Sequence, residues 1–419
     1  MIEDRLPRLL KELTPQPPRA LVLADLAPGS TPGRARVWLA PIAAAALVTA
    51  VVIAATVWAV RAHTSAGPQP LTHQPAPPGS ATWDAQPLAD QQADAILGTS
   101  ASLYSVLNEN SETTITRIDP TSGATLDRTS YRDSDVATFS LRPPVLSGGS
   151  LWVSSDPDSH GVVQLRAFDP TTLLSRRVIK LSFAGAVNAQ TSFAAGPSGS
   201  IYVGAGHSLV IIDTATIDTA TDDTATDEVT RRIDVGAGYV AGIAVAPDDS
   251  RLYLGVMPDV TGALLVRTDL QSRDPRTHSI IREVGGTATF GPGLGGIQAM
   301  MASAGGVWIA NAVGGNGEQV LFVPADLDLA QTRVPAAAQG GGGMVAFATL
   351  ANNTVWIGGG PGGLACADPV SGRSRSSTVL PNGTSLFDVT YAGGRAFAIE
   401  DADGSRRIVS INPPSVCTP

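Results

Sequence analysis

The sequence predicts an all-β chain, a seven-bladed β-propeller preceded by a single transmembrane helix. Three observations predict it. A short strand with an aromatic at its second position recurs seven times, tight-turn residues separate the strands, and an uncharged apolar run precedes the first copy.

The recurring strand reads Leu103-Tyr104-Ser105-Val106, Leu151-Trp152-Val153-Ser154, Ile201-Tyr202-Val203-Gly204 and Leu252-Tyr253-Leu254-Gly255. It continues as Val307-Trp308-Ile309-Ala310, Val355-Trp356-Ile357-Gly358 and Ala396-Phe397-Ala398-Ile399. The aromatics lie 48, 50, 51, 55, 48 and 41 residues apart, the period of a unit large enough for four short strands. Gly148-Gly149-Ser150, Gly199-Ser200, Asp248-Asp249-Ser250, Gly305-Gly306 and Asn352-Asn353 precede these strands and suit tight hairpins.

A further strand follows each aromatic and ends in Asp or Asn. Examples are Ile118-Asp119-Pro120, Phe168-Asp169-Pro170, Ile212-Asp213-Thr214, Val266-Arg267-Thr268-Asp269, Ala367-Asp368-Pro369 and Ile411-Asn412-Pro413. A short Asp or Asn side chain there accepts bonds from the backbone ahead and starts a turn. Each unit then holds an inner strand, the aromatic strand, the strand ending in Asp and a more variable outer strand. The aromatics are expected to pack between blades. The last unit runs out soon after its third strand, so its outer strand is expected from around Thr82 to Leu88, sealing the ring.

One unit carries a family resemblance. Ile201-Tyr202-Val203-Gly204, Val210-Ile211-Ile212-Asp213-Thr214-Ala215-Thr216, Val229 to Val235 and Gly242-Ile243-Ala244-Val245-Ala246-Pro247-Asp248 resemble a YVTN-type repeat of bacterial and archaeal surface proteins. The other units match only in their aromatic and Asp positions. The resemblance implies a seven-bladed propeller displayed outside the cytoplasm and assigns no catalytic residue. Between this unit's third and fourth strands the Asp-Thr-Ala-Thr of Asp213 recurs at Asp218 and Asp223. A solvated loop grown by repeat slippage explains it. The sharper reading is a weak cation site of Asp218, Asp222, Asp223 and Asp227.

Residues Val37 to Val60 contain no charged side chain. As a helix they would span about 36 Å, enough to cross a hydrocarbon core of roughly 30 Å. Trp38 and Trp58 stand near the two ends, where indole rings favour the lipid–water boundary. Arg34 and Arg36 precede the run, and Arg61 alone follows it until Arg117. The positive-inside bias therefore places the N-terminus in the cytoplasm and the C-terminal mass outside. The rival, a cleaved signal peptide, fits less well, because the lead is long and the apolar run exceeds the usual 7–15 residues. Pro68, Pro70, Pro75, Pro77 and Pro78 make the next stretch an extended, semi-rigid spacer.

Charge is uneven along the chain. Residues 1–36 carry six basic and four acidic side chains; the whole chain is −9, so the remainder is −11. That balance argues against a nucleic-acid partner, which needs a basic patch for phosphates. Lys11 and Lys180 are the only lysines, an arginine-rich composition of actinobacterial appearance. Leu6, Leu9, Leu10 and Leu13 form one apolar helical face in the tail, ended by Pro15, Pro17 and Pro18. So short a helix needs a partner or a membrane surface to persist.

The sequence presents no catalytic constellation. His63 and His73 lie in the spacer, while His160, His207 and His278 fall in different units without metal-ligand spacing. Asp401-Ala402-Asp403-Gly404 resembles the opening of a calcium loop but sits between two strands and lacks the closing glutamate, so it reads as a hairpin turn. Gly291 to Gly296 and Gly340 to Gly343 read as loops between units. The loops entering the inner strands, near Asn188-Ala189-Gln190, Gly238-Tyr239, Ile297-Gln298 and Asn382-Gly383, would line the channel mouth. Cys366 and Cys417 are the two cysteines, and adjacent blades could bring them together as a disulfide.

The domain plan is a cytoplasmic tail with a short amphipathic helix (1–36), a transmembrane helix (37–60), a Pro-rich linker (61–84) and a seven-bladed propeller (85–419). The expected function is a binding or scaffold module on the cell membrane, its propeller outside the cytoplasm. Its ligand would be an envelope component, a peptide or a small molecule, without a cofactor or metal. Two alternatives stay open. One is a transmembrane regulator whose layout resembles anti-sigma proteins, with a cytoplasmic protein partner for the tail. The other is a channel-mouth lyase or lactonase.

Overall fold

The computed structural model describes residues 72–73, 85–88 and most of 91–417, apart from stretches such as 133–142, 215–228, 259–268, 286–293, 335–345, 348–353 and 378–383. The chain divides into two compact units, Met1–Gly67 and Pro68–Pro419, and every described residue belongs to the second. The tail, the apolar run 37–60 and most of the Pro-rich linker therefore lie outside the described residues. Among the described residues no helix is long and apolar enough to cross a membrane.

Seven antiparallel sheets follow one another along the chain. Blade one is Ala95–Gly98, Leu103–Glu109, Glu112–Ile118 and Thr125–Arg132; blade two is Val145–Ser147, Ser150–Ser154, Val162–Phe168 and Ser175–Ser182. Blade three is Ser192–Ala195, Ser200–Ala205, Ser208–Asp213 and Val229–Asp234; blade four is Gly238–Val245, Leu252–Pro258, Asp269–Arg273 and Ile280–Gly285. Blade five is Leu294–Ser303, Gly306–Val313, Gly317–Pro324 and Arg333–Val334; blade six is Ala346–Phe347, Val355–Gly359, Gly363–Ala367 and Ser374–Ser377. Blade seven takes Thr384–Ala392, Arg395–Ala402 and Ser405–Ile411 from the end of the chain and its outer strand, Ala85–Pro87, from near the start. The ring closes as the sequence implied. Thr72–His73 also pairs in parallel with Arg333–Val334, adding a fifth strand to blade five.

The seven aromatics hold neighbouring blades together. None is more than 4% exposed. Tyr104 shares a cluster with Leu151, Val153 and Phe168 of blade two; Trp152 with Ile201 and Val203 of blade three; Tyr202 with Leu252 and Leu254 of blade four. Tyr253 and Trp308 extend the series into blades five and six, Trp356 packs with Leu386 and Val389 of blade seven, and Phe397 with Leu103 and Ile118 of blade one. Each ring fills the face of the next sheet, so a blade that cannot cover its own apolar face is covered by its neighbour.

Four blades close their third and outer strands with one turn, Asp-Pro followed by three residues. Asp119, Asp169, Asp274 and Asp368 each accept, through the side chain, the N–H two residues on, at 2.8, 2.8, 2.8 and 3.1 Å. The fifth residue donates its N–H back to the Asp carbonyl with φ positive: Gly123 (74°), Leu173 (52°), His278 (61°) and Gly372 (67°).

Two boundaries differ from the sequence reading. In blade four the third strand begins at Asp269 instead of ending there, and Asp274 is the turn residue. Asp274 is followed by proline like its three counterparts, whereas Asp269 sits in the ladder opposite Val256 and Gly285. Gly295 and Gly296 belong to the inner strand of blade five, next to a register shift between Leu294 and Ile297, and not to a loop.

Gly148 and Gly149 turn the first hairpin of blade two with φ of 56° and 72°. A Cβ on Gly148 would collide with Thr214 at the end of blade three's third strand, whereas one on Gly149 would meet nothing within 4 Å. Gly149→Ala should therefore cost about 1–2 kcal/mol for the left-handed backbone alone. Gly148→Ala should cost more, and denaturant unfolding of the two variants gives the comparison. Equal losses would mean that blades two and three do not meet at this turn.

Candidate functional site

A groove of about 570 Å3 opens on the face where the first hairpins of blades one, two and three meet the Asp169 turn of blade two. Tyr104 forms part of its wall, and its hydroxyl donates to the carbonyl of Pro170 at 2.8 Å. Burial pushes the Tyr104 phenol above its ordinary pKa. Arg117, from blade one's third strand, donates Nε to Ser102 Oγ at 3.1 Å and Nη1 to the carbonyl of Thr171. Leu146 lies on the groove and is 37% exposed, an apolar side chain that the fold itself does not cover.

The groove's walls are held from behind. Arg176 donates to the carbonyl of Gly149 at 2.9 Å and pairs with Asp169. The N–H groups of Thr172 and Thr171, with Arg176, hold the Asp169 carboxyl at about 2. The Asp169 turn is thus fixed before any ligand arrives. Among the described residues, the lining includes no histidine, cysteine or carboxylate. Backbone amides, hydroxyls, one guanidinium and one exposed leucine suit recognition of a polar ligand bearing a small apolar group.

Of the channel-mouth segments, only Gly238-Tyr239 and Ile297-Gln298 are described, and both lie within inner strands. Asn188-Ala189-Gln190 and Asn382-Gly383 lie outside the described residues, as do Asp218, Asp222, Asp223, Asp227 and Gly340 to Gly343. Tyr239 is half-buried at the start of blade four's inner strand and points its hydroxyl at Met257 Sδ, 3.5 Å away. Ile297 is buried inside blade five, packed toward Gly255 and Gly242. Of the four described histidines, His73 lies in the strand added to blade five, and the other three stand apart. His160 is exposed beside Asp158, and His207 Nδ1 lies 2.7 Å from the carbonyl of Gly238. His278 occupies the positive-φ position of the Asp274 turn beside Tyr202. Ala402 pairs with Ser405 at the end of the ladder between blade seven's second and third strands, while Asp403 and Gly404 lie outside the described residues.

Cys366, in blade six's third strand, and Cys417, on a short turn after blade seven's third strand, are joined, with Cα atoms 5.8 Å apart. Among the described residues no group of three or more His, Cys, Asp or Glu side chains could hold a metal ion. Two features escaped the sequence reading. The groove is assembled from Tyr104, Arg117, Leu146 and Pro170, which belong to no common motif. Asp388 is buried in blade seven's inner strand. No signal local to blade seven marks it, because the amide it accepts is that of Ile96 in blade one.

Fold and groove together define the class, a seven-bladed β-propeller with an open recess on one face of its ring. No protein-family model and no curated protein sequence matches the chain. Among solved structures it is similar to the crystal structure of Chaetomium thermophilum Raptor, with a TM-score of 0.51 at 13% identity, over 79% of this chain and 29% of that one. At that identity the likeness shows the fold alone. The chain spans less than a third of the Raptor chain.

Proposed function

We propose that the chain is a single-pass membrane protein whose propeller, displayed outside the cytoplasm, is a binding or scaffold module. The observation that carries the binding reading is the groove of about 570 Å3 walled by three blades, a size typical of small-ligand and peptide recesses. The uncharged run 37–60 and its arginine-rich leading flank support the anchor and its orientation. The joined cysteines support an oxidising compartment. The similarity to YVTN-type surface repeats supports the same placement.

Two measurements test it. Alkaline carbonate washing should leave the chain in the membrane pellet, and protease added to intact cells should remove the propeller while sparing a tag on residue 1. A chain released by carbonate, or protected in intact cells, would overturn the anchor reading. For the groove, a photo-crosslinking side chain at Leu146 should yield a discrete adduct in cells. One at Leu126, exposed on blade one's outer strand, should not. Equal labelling from both positions would remove the groove as the binding site.

A further inference from the structure

The seam between the last and first blades differs from the others at its inner edge. In six of the inner strands, all but that of blade two, one residue pairs with the position two beyond the aromatic. In blades one, three, four, five and six it is Ala95, Ser192, Gly242, Ala299 and Ala346. These are all small. In blade seven it is Asp388, opposite Ile399. Its Oδ2 accepts the N–H of Ile96 in blade one at 2.8 Å, and its Oδ1 accepts the N–H of Val389 at 2.9 Å. Two residues on, Thr390 Oγ1 accepts the N–H of Gly98 at 2.7 Å. The strands come so close there that a Cβ on Gly98 would collide with the carbonyl of Tyr391. Two N–H groups of blade one's inner strand are thus satisfied by side chains of blade seven.

We propose that Asp388 and Thr390 form an inner clasp that closes the ring, and that the clasp is pH-sensitive, tight when Asp388 holds a proton and loosened when it ionises. A carboxylate removed from water without a countercharge is costly, and two amide donors offset that only in part. Burial raises the Asp388 carboxyl to about 7 despite the bonds from Ile96 and Val389. The charged groups on the surrounding elements are otherwise engaged. Asp94, just before blade one's inner strand, binds Arg406 at 2.7 Å, and Glu400, on blade seven's second strand, binds Arg407 at 2.6 Å. Asp401 lies 3.8 Å from Arg406. The facing second strand of blade six, Val355–Gly359, has no titratable side chain, and Tyr391 stacks on Trp356. None of these contributes to the shift at Asp388.

The sign follows from linkage. When the seam opens, Asp388 meets water and regains a pKa near 3.8, while the closed seam keeps the proton up to about 7. Opening therefore becomes easier as pH rises between those values and no further above them. Hydrogen exchange of the full chain in detergent, corrected for intrinsic rates, reads this at the Ile96 and Gly98 amides. Their protection should fall roughly tenfold per pH unit from pH 5 to pH 7 and level off by about pH 8. Asp388→Asn keeps an oxygen for the Ile96 N–H and should flatten that slope. Thr390→Val should lower protection at Gly98 at every pH and leave the slope intact. Wild-type protection independent of pH, or an unchanged slope in Asp388→Asn, would overturn the proposal.

Discussion

Deleting residues 85–88 is expected to destabilise the whole propeller by at least about 4 kcal/mol, a fall in Tm of roughly 6 °C. The segment supplies the outer strand of blade seven, with Ala85, Gln86 and Pro87 opposite Ile411, Ser410 and Val409. The Leu88 N–H donates to the carbonyl of Ile408 at 2.8 Å, and the Ile408 N–H donates to that of Gln91 at 3.0 Å. Pro87 is tolerated because an outermost strand has no neighbour waiting for its missing N–H. Leu88 is 9% exposed and belongs to the cluster of Ile96, Leu103, Ile118, Phe397 and Ile408. Losing one such leucine costs about 2–5 kcal/mol, before the strand's hydrogen bonds are counted. The loss should be global, since every blade relies on its neighbours and an opened ring leaves two uncovered faces. Thermal unfolding of full chain and deletion provides the test. A midpoint within about 1 °C of wild type would show that blade seven stands without its borrowed strand.

How much of this was legible in the sequence depends on the range over which each signal acts. The aromatics were readable because each acts within one repeat and returns at nearly fixed spacing; Trp308 and Trp356 are buried for the same reason as Tyr202. The Asp-Pro turns were readable because Asp119 or Asp368 bonds backbone only two or three residues away. Blade four was misregistered because Asp269 offers the same residue type without the proline that stops a strand, while Pro275 follows the true turn residue. The buried acid lay out of reach for another reason. Asp388 is 292 residues from the amide it serves, and only the closed ring makes them neighbours. The groove has the same character, since Leu146, Arg117 and Pro170 converge through blade packing.

Replacing both cysteines, as Cys366→Ala with Cys417→Ala, is expected to cost about 4 kcal/mol. The bond spans 51 residues, and cross-linking a loop of that length removes about that much chain entropy from the unfolded state. Its position makes the effect more than a staple on a loose end. Cys366 sits between Ala365 and Ala367 in the third strand of blade six, all three fully buried, and Cys417 is 1% exposed against the cluster of Trp356, Leu364 and Val409. The bond therefore ties the segment after blade seven's third strand to blade six, while Ala85–Pro87 pairs along that same third strand. Blade seven is held by a covalent link and by a borrowed strand. Alanine at 366 suits a strand already flanked by alanines, so the variant should fold. A reductant should lower the wild-type midpoint by the same amount and leave the double variant unmoved. If reductant shifts neither protein, the bond is absent in solution, and with it the support it lends to an oxidising compartment.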